Sequence, residues 1–212
     1  SWVETNVPDW VTELRRRGES LGCLVGDPGV HTGNCARRLV LENGCHAGES
    51  VGVLEGRQVH RWRCDPPTKR LRLDYQAGDG EYFTIRPLET YRRARFVIRQ
   101  TARHPIVGPK HTAEYFRNSL LALYEPDNGF DIHYLVGLLN SRLIRFLYTN
   151  AVRESAQASF PQVKVGSLRD LPIIWPDGND DRQREAYEAI VASVRELLEM
   201  HGGDSHSRRE PQ

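Results

Sequence analysis

The spacing of apolar residues separates a strand-rich first half of the chain from a helical second half. Between residues 21 and 100, short apolar runs such as LGCLVG and RRLVL are punctuated by glycine, proline and asparagine, a pattern typical of β-strands joined by tight turns. In the run RARFVIRQ, Phe96 and Ile98 fall on the opposite side of a strand from Val97 and Arg99. The pattern therefore predicts a sheet over this part of the chain.

Three other segments have the period of an α-helix. A short amphipathic stretch begins at Pro8-Asp9 and stops near Gly18, and a longer one covers 130–150 with Asp131 placed as its N-cap. The third runs from Asp180 to His201 and ends at a Gly-Gly pair. Its apolar stripe must pack on the domain's own core, on a catalytic partner or on a second copy.

These elements predict an α+β fold: a mixed, strand-rich domain with packed helices and a long C-terminal helix. We expect a lead-in helix in residues 1–20 and the main domain in 21–175. A linker and the long amphipathic helix then occupy 176–203, and a polar tail, 204–212, is expected to be disordered.

Composition places the chain among ordinary globular proteins, with 39% hydrophobic and 27% charged residues among 212. No run approaches the roughly 18 apolar residues of a spanning helix, and the first thirty residues lack the apolar core of a signal peptide. We therefore expect a cytoplasmic protein without membrane contact, and free thiols rather than disulfides at its four cysteines. The only methionine is Met200, which indicates a trimmed start or a piece of a longer protein.

Positive charge is concentrated in the middle of the sequence. Residues 57–117 hold fourteen Lys and Arg against six Asp and Glu, whereas 1–56 hold five against eight and 118–212 hold ten against fourteen. Aromatic residues are interleaved with these cations, as in domains that bind polyanions. The alternative is an aromatic core with a solvated basic face, in a protein whose coding bias favours arginine.

Motifs of independent catalysis are absent or incomplete. We find no GxGxxG or Walker A loop, and no acid stands two residues before a lysine, as a PD…(D/E)xK nuclease requires. Asp65-Pro66-Pro67-Thr68 resembles the tetrad with which amino-methyltransferases grip a flipped base, but Thr68 replaces the aromatic residue, so a turn is favoured. A zinc site is disfavoured because no CxxC pair occurs among the candidate ligands Cys23, Cys35, Cys45, His46, His60 and Cys64.

Six phrases of the sequence occur in an order that resembles a known family. They are GDPGVHTGN, LEGRQVHRW, RFVIRQTARHPI, YFRNSLLAL, YLVGLLNSRLIRFLY and SFPQVKVGSLRDLPI, and they cover nearly all of residues 21–173. Together they resemble the TaqI-like C-terminal specificity domain, the target-recognition part of adenine-N6 DNA methyltransferases in restriction-modification and phage-defence systems.

The resemblance implies a sequence-specific reader of double-stranded DNA that docks beside a methyltransferase catalytic domain or subunit. A restriction component is a further possible partner. In that family S-adenosylmethionine binds the catalytic domain, so the resemblance implies no cofactor and no catalytic residue in this chain, and we also expect no metal.

The matching phrases also place the expected DNA contacts. Thr32 and Asn34 belong to a tight polar turn with Gly33, and Arg57 and Arg61 bracket a GRQVHR strand. The remaining expected contacts are Arg99, Gln100, Thr101, Arg103, His104, Gln162 and Lys164. Arginine and threonine are expected to position phosphates, whereas Gln100 or Arg103 would specify a base. The helix containing NSRLIRF is expected to be structural, with Asn140 and Ser141 bonded to nearby backbone.

Two other classes of function stay open on the sequence alone. One is a minimal DNA-modifying enzyme, either a methyltransferase that uses Asp65-Pro66-Pro67 or a nuclease. The other is a protein-interaction module whose long helices bind a partner and whose basic block reflects composition only.

Overall fold

The computed structural model describes residues 9–42, 48–151 and 162–203 and confirms the α+β class, with 39% helix and 22% strand. The helices are α1 (Asp9–Arg17), α2 (Ala36–Leu39), α3 (Leu88–Arg92), α4 (Ile132–Asn140), α5 (Arg142–Ala151), α6 (Val165–Arg169) and α7 (Asp181–Gly203). The strands are β1 (Glu19–Ser20), β2 (Val25–Gly26), β3 (Val40–Glu42), β4 (Ser50–Leu54), β5 (Val59–His60), β6 (Arg63–Cys64), β7 (Lys69–Arg72), β8 (Phe96–Arg99), β9 (Val107–Pro109), β10 (Tyr115–Phe116), β11 (Leu120–Leu123) and β12 (Pro172–Ile173).

The central sheet is antiparallel, in the order β2-β11-β8-β9, and both of its faces are buried. Phe96 and Ile98 of β8 belong to a core shared with the helices, whereas Val97 belongs to a second core on the other face. The alternation predicted for RARFVIRQ is therefore confirmed. Apolar side chains on both faces suit a sheet that lies between two layers.

A second sheet, in the order β10-β4-β7-β3, closes the other side of the domain. Its β10–β4 pair is parallel, with Tyr115 opposite Val53, and the remaining pairs are antiparallel. Leu54, Leu71 and Phe116 are completely buried beneath it. The architecture is thus a layer of helices, the central sheet and the second sheet. Two further two-stranded ribbons pair β1 with β12 and β5 with β6.

The helix expected over 130–150 is in fact two helices that meet at Ser141. Its backbone is extended, with φ −72° and ψ 159°, and its hydroxyl accepts a hydrogen bond from the N–H of Ile144, which starts α5. Asn140, just before the break, is buried and bonds through both amide atoms to the backbone of Val107 on β9. Arg142 and Arg145 of α5 are exposed.

The apolar stripe of α7 packs on the core of its own chain, the first of the three predicted alternatives. Val191 and Val194 are buried against α4, and Arg195 forms an ion pair with the Asp131 carboxylate at the start of α4. Asp131 and Asp180 cap α4 and α7, since each accepts hydrogen bonds from backbone N–H groups of the first turn. In the described parts of the chain, no helix is both long and apolar enough to cross a membrane.

Candidate nucleic-acid interface

The loop of residues 99–104 leaves the end of β8 and is fixed at its base by backbone hydrogen bonds. The Gln100 N–H donates to the carbonyl oxygen of Ser119 at 2.9 Å. Its own carbonyl oxygen accepts from the N–H of Val163 at 2.7 Å. The Arg99 Nε donates to the carbonyl oxygen of Thr101 at 3.1 Å, which holds the guanidinium against its own loop. Residues 99–104 and 162–164 therefore lie side by side. The sequence predicted DNA contacts in each segment but did not predict that the two segments touch.

A short segment after β10, residues 117–119, joins this loop to two others. The Ser119 hydroxyl accepts from the N–H of Gly56 at 3.0 Å, and Arg117 donates to the hydroxyl of Thr32 at 3.2 Å. The Asn118 N–H donates to the carbonyl oxygen of Val30 at 3.2 Å. We call the connected segments 31–34, 55–57, 99–104, 117–119 and 162–164 the loop surface.

Gly56, which precedes Arg57, brings the 55–57 segment close to Thr101 of the 99–104 loop. A Cβ on Gly56 would lie 2.9 Å from the Thr101 hydroxyl, so this position favours glycine. Arg57 is exposed, donates to the Thr68 hydroxyl at 2.7 Å and lies 3.5 Å from the Glu55 carboxylate. The predicted GRQVHR strand is wrong in part, because a capping box between Glu55 and Gln58 makes 56–58 a 3-10 helix and β5 begins only afterwards.

The predicted turn at residues 32–34 is confirmed, and its members have different positions. Thr32 is only 6% exposed, and its hydroxyl accepts a hydrogen bond from the Arg117 guanidinium. Thr32 therefore positions Arg117 and does not face solvent. Gly33 has a φ of +49°, and Asn34 is exposed. The Asn34 side chain accepts from the N–H of Tyr82 at 3.0 Å and donates to the carbonyl oxygen of Gly80 at 2.9 Å. The turn thus anchors the loop of residues 76–84.

The other predicted contacts differ in exposure and place. Arg103, Gln162 and Lys164 are exposed on the loop surface, and His104 is half-buried with Nδ1 3.0 Å from the Pro105 carbonyl oxygen. Arg61 lies elsewhere, at the turn between β5 and β6 beside Trp62. The Trp62 side chain lines a groove with Gly137 of α4 and with residues of α7.

Much of the charge of the basic block is neutralised in the fold by acids that lie outside it in the sequence. Glu55 is 13% exposed and pairs with Arg117, Lys69 and Arg57, and Glu125 pairs with Arg95. Within the described ranges, Arg99 and Arg103 have no acidic partner. The net charge of residues 57–117 thus overstates the basic surface, and Arg99 and Arg103 are among the cations of this block that no acid compensates.

The cysteines show no arrangement for metal binding in the described part of the chain, where no group of three potential ligands occurs. Burial raises the pKa of the Cys64 thiol to about 11, with a smaller opposing effect from the Thr112 hydroxyl. A thiol that stays protonated at neutral pH is a poor metal ligand. Cys45 and His46 lie outside the described residues.

The Asp65–Thr68 tetrad forms an irregular connection between β6 and β7, with a bend at Thr68 in place of the predicted turn. The Asp65 carboxylate lies 2.9 Å from Nε2 of His60 and 3.3 Å from Nε of Arg63. The Thr68 hydroxyl accepts from Arg57 and from Gln58, the latter at 2.9 Å. The Asp65 and Thr68 side chains are thus engaged in contacts within the fold.

Sequence reasoning missed the 117–119 segment as part of the site. The phrase YFRNSLLAL carried the family resemblance, but its polar Arg-Asn-Ser centre gave no reason to place it beside residues 32, 56 and 100. The available signal was the interruption of two apolar runs by three polar residues, which marks a strand-to-strand connection on the surface.

Two comparisons with known proteins give the family of the chain. The model of the TaqI-like C-terminal specificity domain matches residues 51–173, more than half of the chain. A Methanocaldococcus jannaschii protein described as a type II restriction enzyme and methyltransferase is 36% identical over 52 residues, a match that covers 24% of this chain and 4% of that protein. The matched segment therefore spans only a small part of the length of this relative. Both comparisons indicate DNA recognition in restriction-modification, and the chain belongs to the family of TaqI-like C-terminal specificity domains.

Proposed function

We propose that the loop surface binds double-stranded DNA in a sequence-specific manner and that methyl transfer is carried out by a catalytic domain or subunit elsewhere. The observation that carries the proposal is the hydrogen bond between Gln100 and Val163. It joins the 99–104 loop to residues 162–164, so the exposed Arg103 and Gln162 belong to two segments in direct contact. Family membership supports DNA as the ligand.

The side chains of the loop surface suit two kinds of DNA contact. Arg57, Arg99 and Arg103 would bind phosphates, because each phosphate neutralised releases counterions condensed on the DNA and so favours binding. The amide side chains of Gln100 and Gln162 offer a donor and an acceptor each, which suits the edge of an adenine in the major groove. Asn34 is already occupied by the backbone of residues 80 and 82, so its proposed role is to hold a neighbouring loop in place.

Arg61 has a separate place in the proposal. Its turn lies beside the α4 and α7 groove and not among the contacts that join the loop surface. A phosphate at Arg61 would therefore belong to a second approach of the duplex to the domain.

The absence of catalysis by this chain alone is part of the proposal. Residues 65–68 are engaged in internal contacts, and the sequence lacks a glycine-rich loop for a nucleotide-like donor. S-adenosylmethionine would bind the catalytic partner. The Trp62 groove between the β5–β6 turn and α7 and the exposed pair of Trp10 and Phe146 are the apolar surfaces on which such a partner has room to dock.

The test is a fluorescence anisotropy titration with random-sequence duplex DNA at two salt concentrations. Wild-type protein should bind more weakly at higher salt, and the double variant Arg99→Gln/Arg103→Gln should reduce the slope of log K against log salt by about 2, because about one counterion is released per phosphate contacted. Arg182→Gln, at the exposed start of α7, is the matched control and should leave the slope unchanged.

Two results would contradict the proposal. Binding that is insensitive to salt, or equal in the double variant and the wild type, would exclude a phosphate-led mode at these residues. Transfer of a labelled methyl group from S-adenosylmethionine to DNA by this chain alone would show that it is an enzyme.

A further inference from the structure

Tyr82 presents a rigidly held aromatic ring to solvent beside the loop surface. Tyr82 is 68% exposed, more than any other large apolar or aromatic residue in the described ranges. The hydroxyl group has no hydrogen-bond partner among the described residues. The ring therefore contributes little to the core, and its position needs another explanation.

The backbone around Tyr82 is held on both sides. Its N–H donates to the Asn34 side chain at 3.0 Å, and its carbonyl oxygen lies 3.4 Å from the Cys35 thiol. Two residues further on, Thr84 exchanges backbone hydrogen bonds with His31, at 2.7 and 3.1 Å. The preceding Glu81 carboxylate accepts from the Tyr75 hydroxyl and the Arg38 guanidinium. A loop fixed by so many contacts loses little conformational entropy when it binds a ligand.

Gly33 is shaped to receive one side of the ring. Its φ of +49° lies in the left-handed region, and a Cβ there would collide with the Tyr82 carbonyl oxygen and lie 2.6 Å from Cδ2 of the ring. The side of the ring that contacts Gly33 is thus supported by backbone, and the rest is open. Such an arrangement resembles the flat aromatic platforms on which nucleobases stack.

Tyr82 is also connected to the loop surface. The 31–34 turn that supports it contacts the 117–119 segment through Thr32 and Arg117, and through His31 and Asn118, whose side-chain nitrogens lie 3.5 Å apart. DNA bound to the loop surface would therefore lie close to the Tyr82 ring, which projects from the side of this surface formed by the 31–34 turn.

We propose that Tyr82 is a specificity-determining residue that stacks on a nucleobase displaced from the helical stack of the bound DNA. This inference rests on the proposed function. Base faces in an intact duplex are covered by their neighbours and only base edges are accessible, so a ring that offers a flat face selects a base that has left the stack. The contact is apolar and does not involve a phosphate.

The experiment compares two duplexes of the same sequence, one fully paired and one with a single unpaired adenine, by fluorescence anisotropy with the 212-residue chain. Wild-type protein should bind the duplex with the unpaired base about tenfold more tightly, as expected for one stacked base. Tyr82→Ala should lose this preference, whereas Tyr82→Phe, which keeps the ring, should retain it. Neither substitution should change the salt dependence of binding to the paired duplex, because no charge is altered.

Met200→Ala is the matched control, since Met200 is 64% exposed on the last turn of α7 and should behave as wild type. A preference that persists in Tyr82→Ala, or equal binding of both duplexes by the wild type, would overturn the role of Tyr82 while leaving DNA binding intact. Failure of the wild type to bind either duplex would instead refute the proposed function, and this inference with it.

Discussion

The carbonyl oxygen of Gln100 accepts a hydrogen bond from the N–H of Val163 at 2.7 Å, and Val163 itself is completely buried. This contact fastens the loop that follows β8 to the chain that leads into α6. Because Val163 is part of the core shared by the helices and the central sheet, the loop surface is anchored to the interior at this point. Residues 99–104 and 162–164 thus behave as one surface.

Asn140 is expected to be a major determinant of stability. Its amide accepts from the N–H of Val107 at 2.9 Å and donates to the carbonyl oxygen of the same residue at 3.0 Å, both in the buried interior. Asn140→Ala leaves the buried N–H of Val107 without a partner, whereas the Val107 carbonyl oxygen keeps the N–H of Trp62 at 3.4 Å, and the variant should lower the free energy of unfolding by about 1–3 kcal/mol. Urea denaturation followed by circular dichroism measures this, with the exposed Asn150→Ala as the control that should change little.

Glu55 is expected to restrain DNA affinity. It neutralises Arg117, Lys69 and Arg57 at the edge of the loop surface, and it is 13% exposed. Glu55→Gln should strengthen binding to random duplex and steepen its salt dependence, because these cations become available to phosphates. The loss of partly buried ion pairs should also cost about 1–3 kcal/mol of stability. Unchanged affinity in a folded variant would show that these cations lie away from the DNA.

The contact between α4 and α7 should make stability depend on pH in the acid range. Burial raises the pKa of the Asp131 carboxyl, but hydrogen bonds from His133 and Arg195 outweigh it, so the pKa is lowered from 3.8. A lowered pKa stabilises the folded state above the pKa of the unfolded chain, and this contribution is lost as the pH falls through the folded value. Asp131→Asn, which can still cap α4, should flatten the pH dependence of unfolding below about pH 4. Parallel curves for both proteins in denaturant titrations would contradict this.

The cysteines should differ sharply in reactivity. Cys23 is exposed, whereas Cys64 is buried with its pKa raised to about 11 by desolvation. Since the thiolate is the reactive form, iodoacetamide at pH 8 should modify Cys23 in the native protein and Cys64 only after unfolding. Peptide mapping by mass spectrometry distinguishes the sites. The buried Cys35 serves as an internal reference for protection.

The elements that the sequence predicted correctly are those governed by local chemistry. Asp131 was recognised as an N-cap because the preference depends only on a side chain and the next three backbone N–H groups. The opposite faces of Phe96 and Val97 follow from the period of a strand. Local rules of this kind act within one element and do not need the tertiary fold.

The sequence could not supply features that depend on distant partners. The break at Ser141 was missed because the apolar period continues across it, and its cause is the bond of Asn140 to Val107 on a separate strand. The charge block was overestimated because Glu55 and Glu125 meet arginines only in the folded chain. For the same reason, the polar residues 117–119 marked a surface connection in the sequence but not the segments that it contacts.

The two buried faces of β8 have a consequence for the evolution of this domain's sequence. The strand is held between two cores, whereas Thr101 and Arg103, just beyond its end, are exposed. Substitutions at such exposed positions usually alter the free energy of folding by less than about 0.5 kcal/mol. Under the proposed function, new DNA targets are therefore accessible by exchanging loop residues one at a time, without a compensating change in the interior.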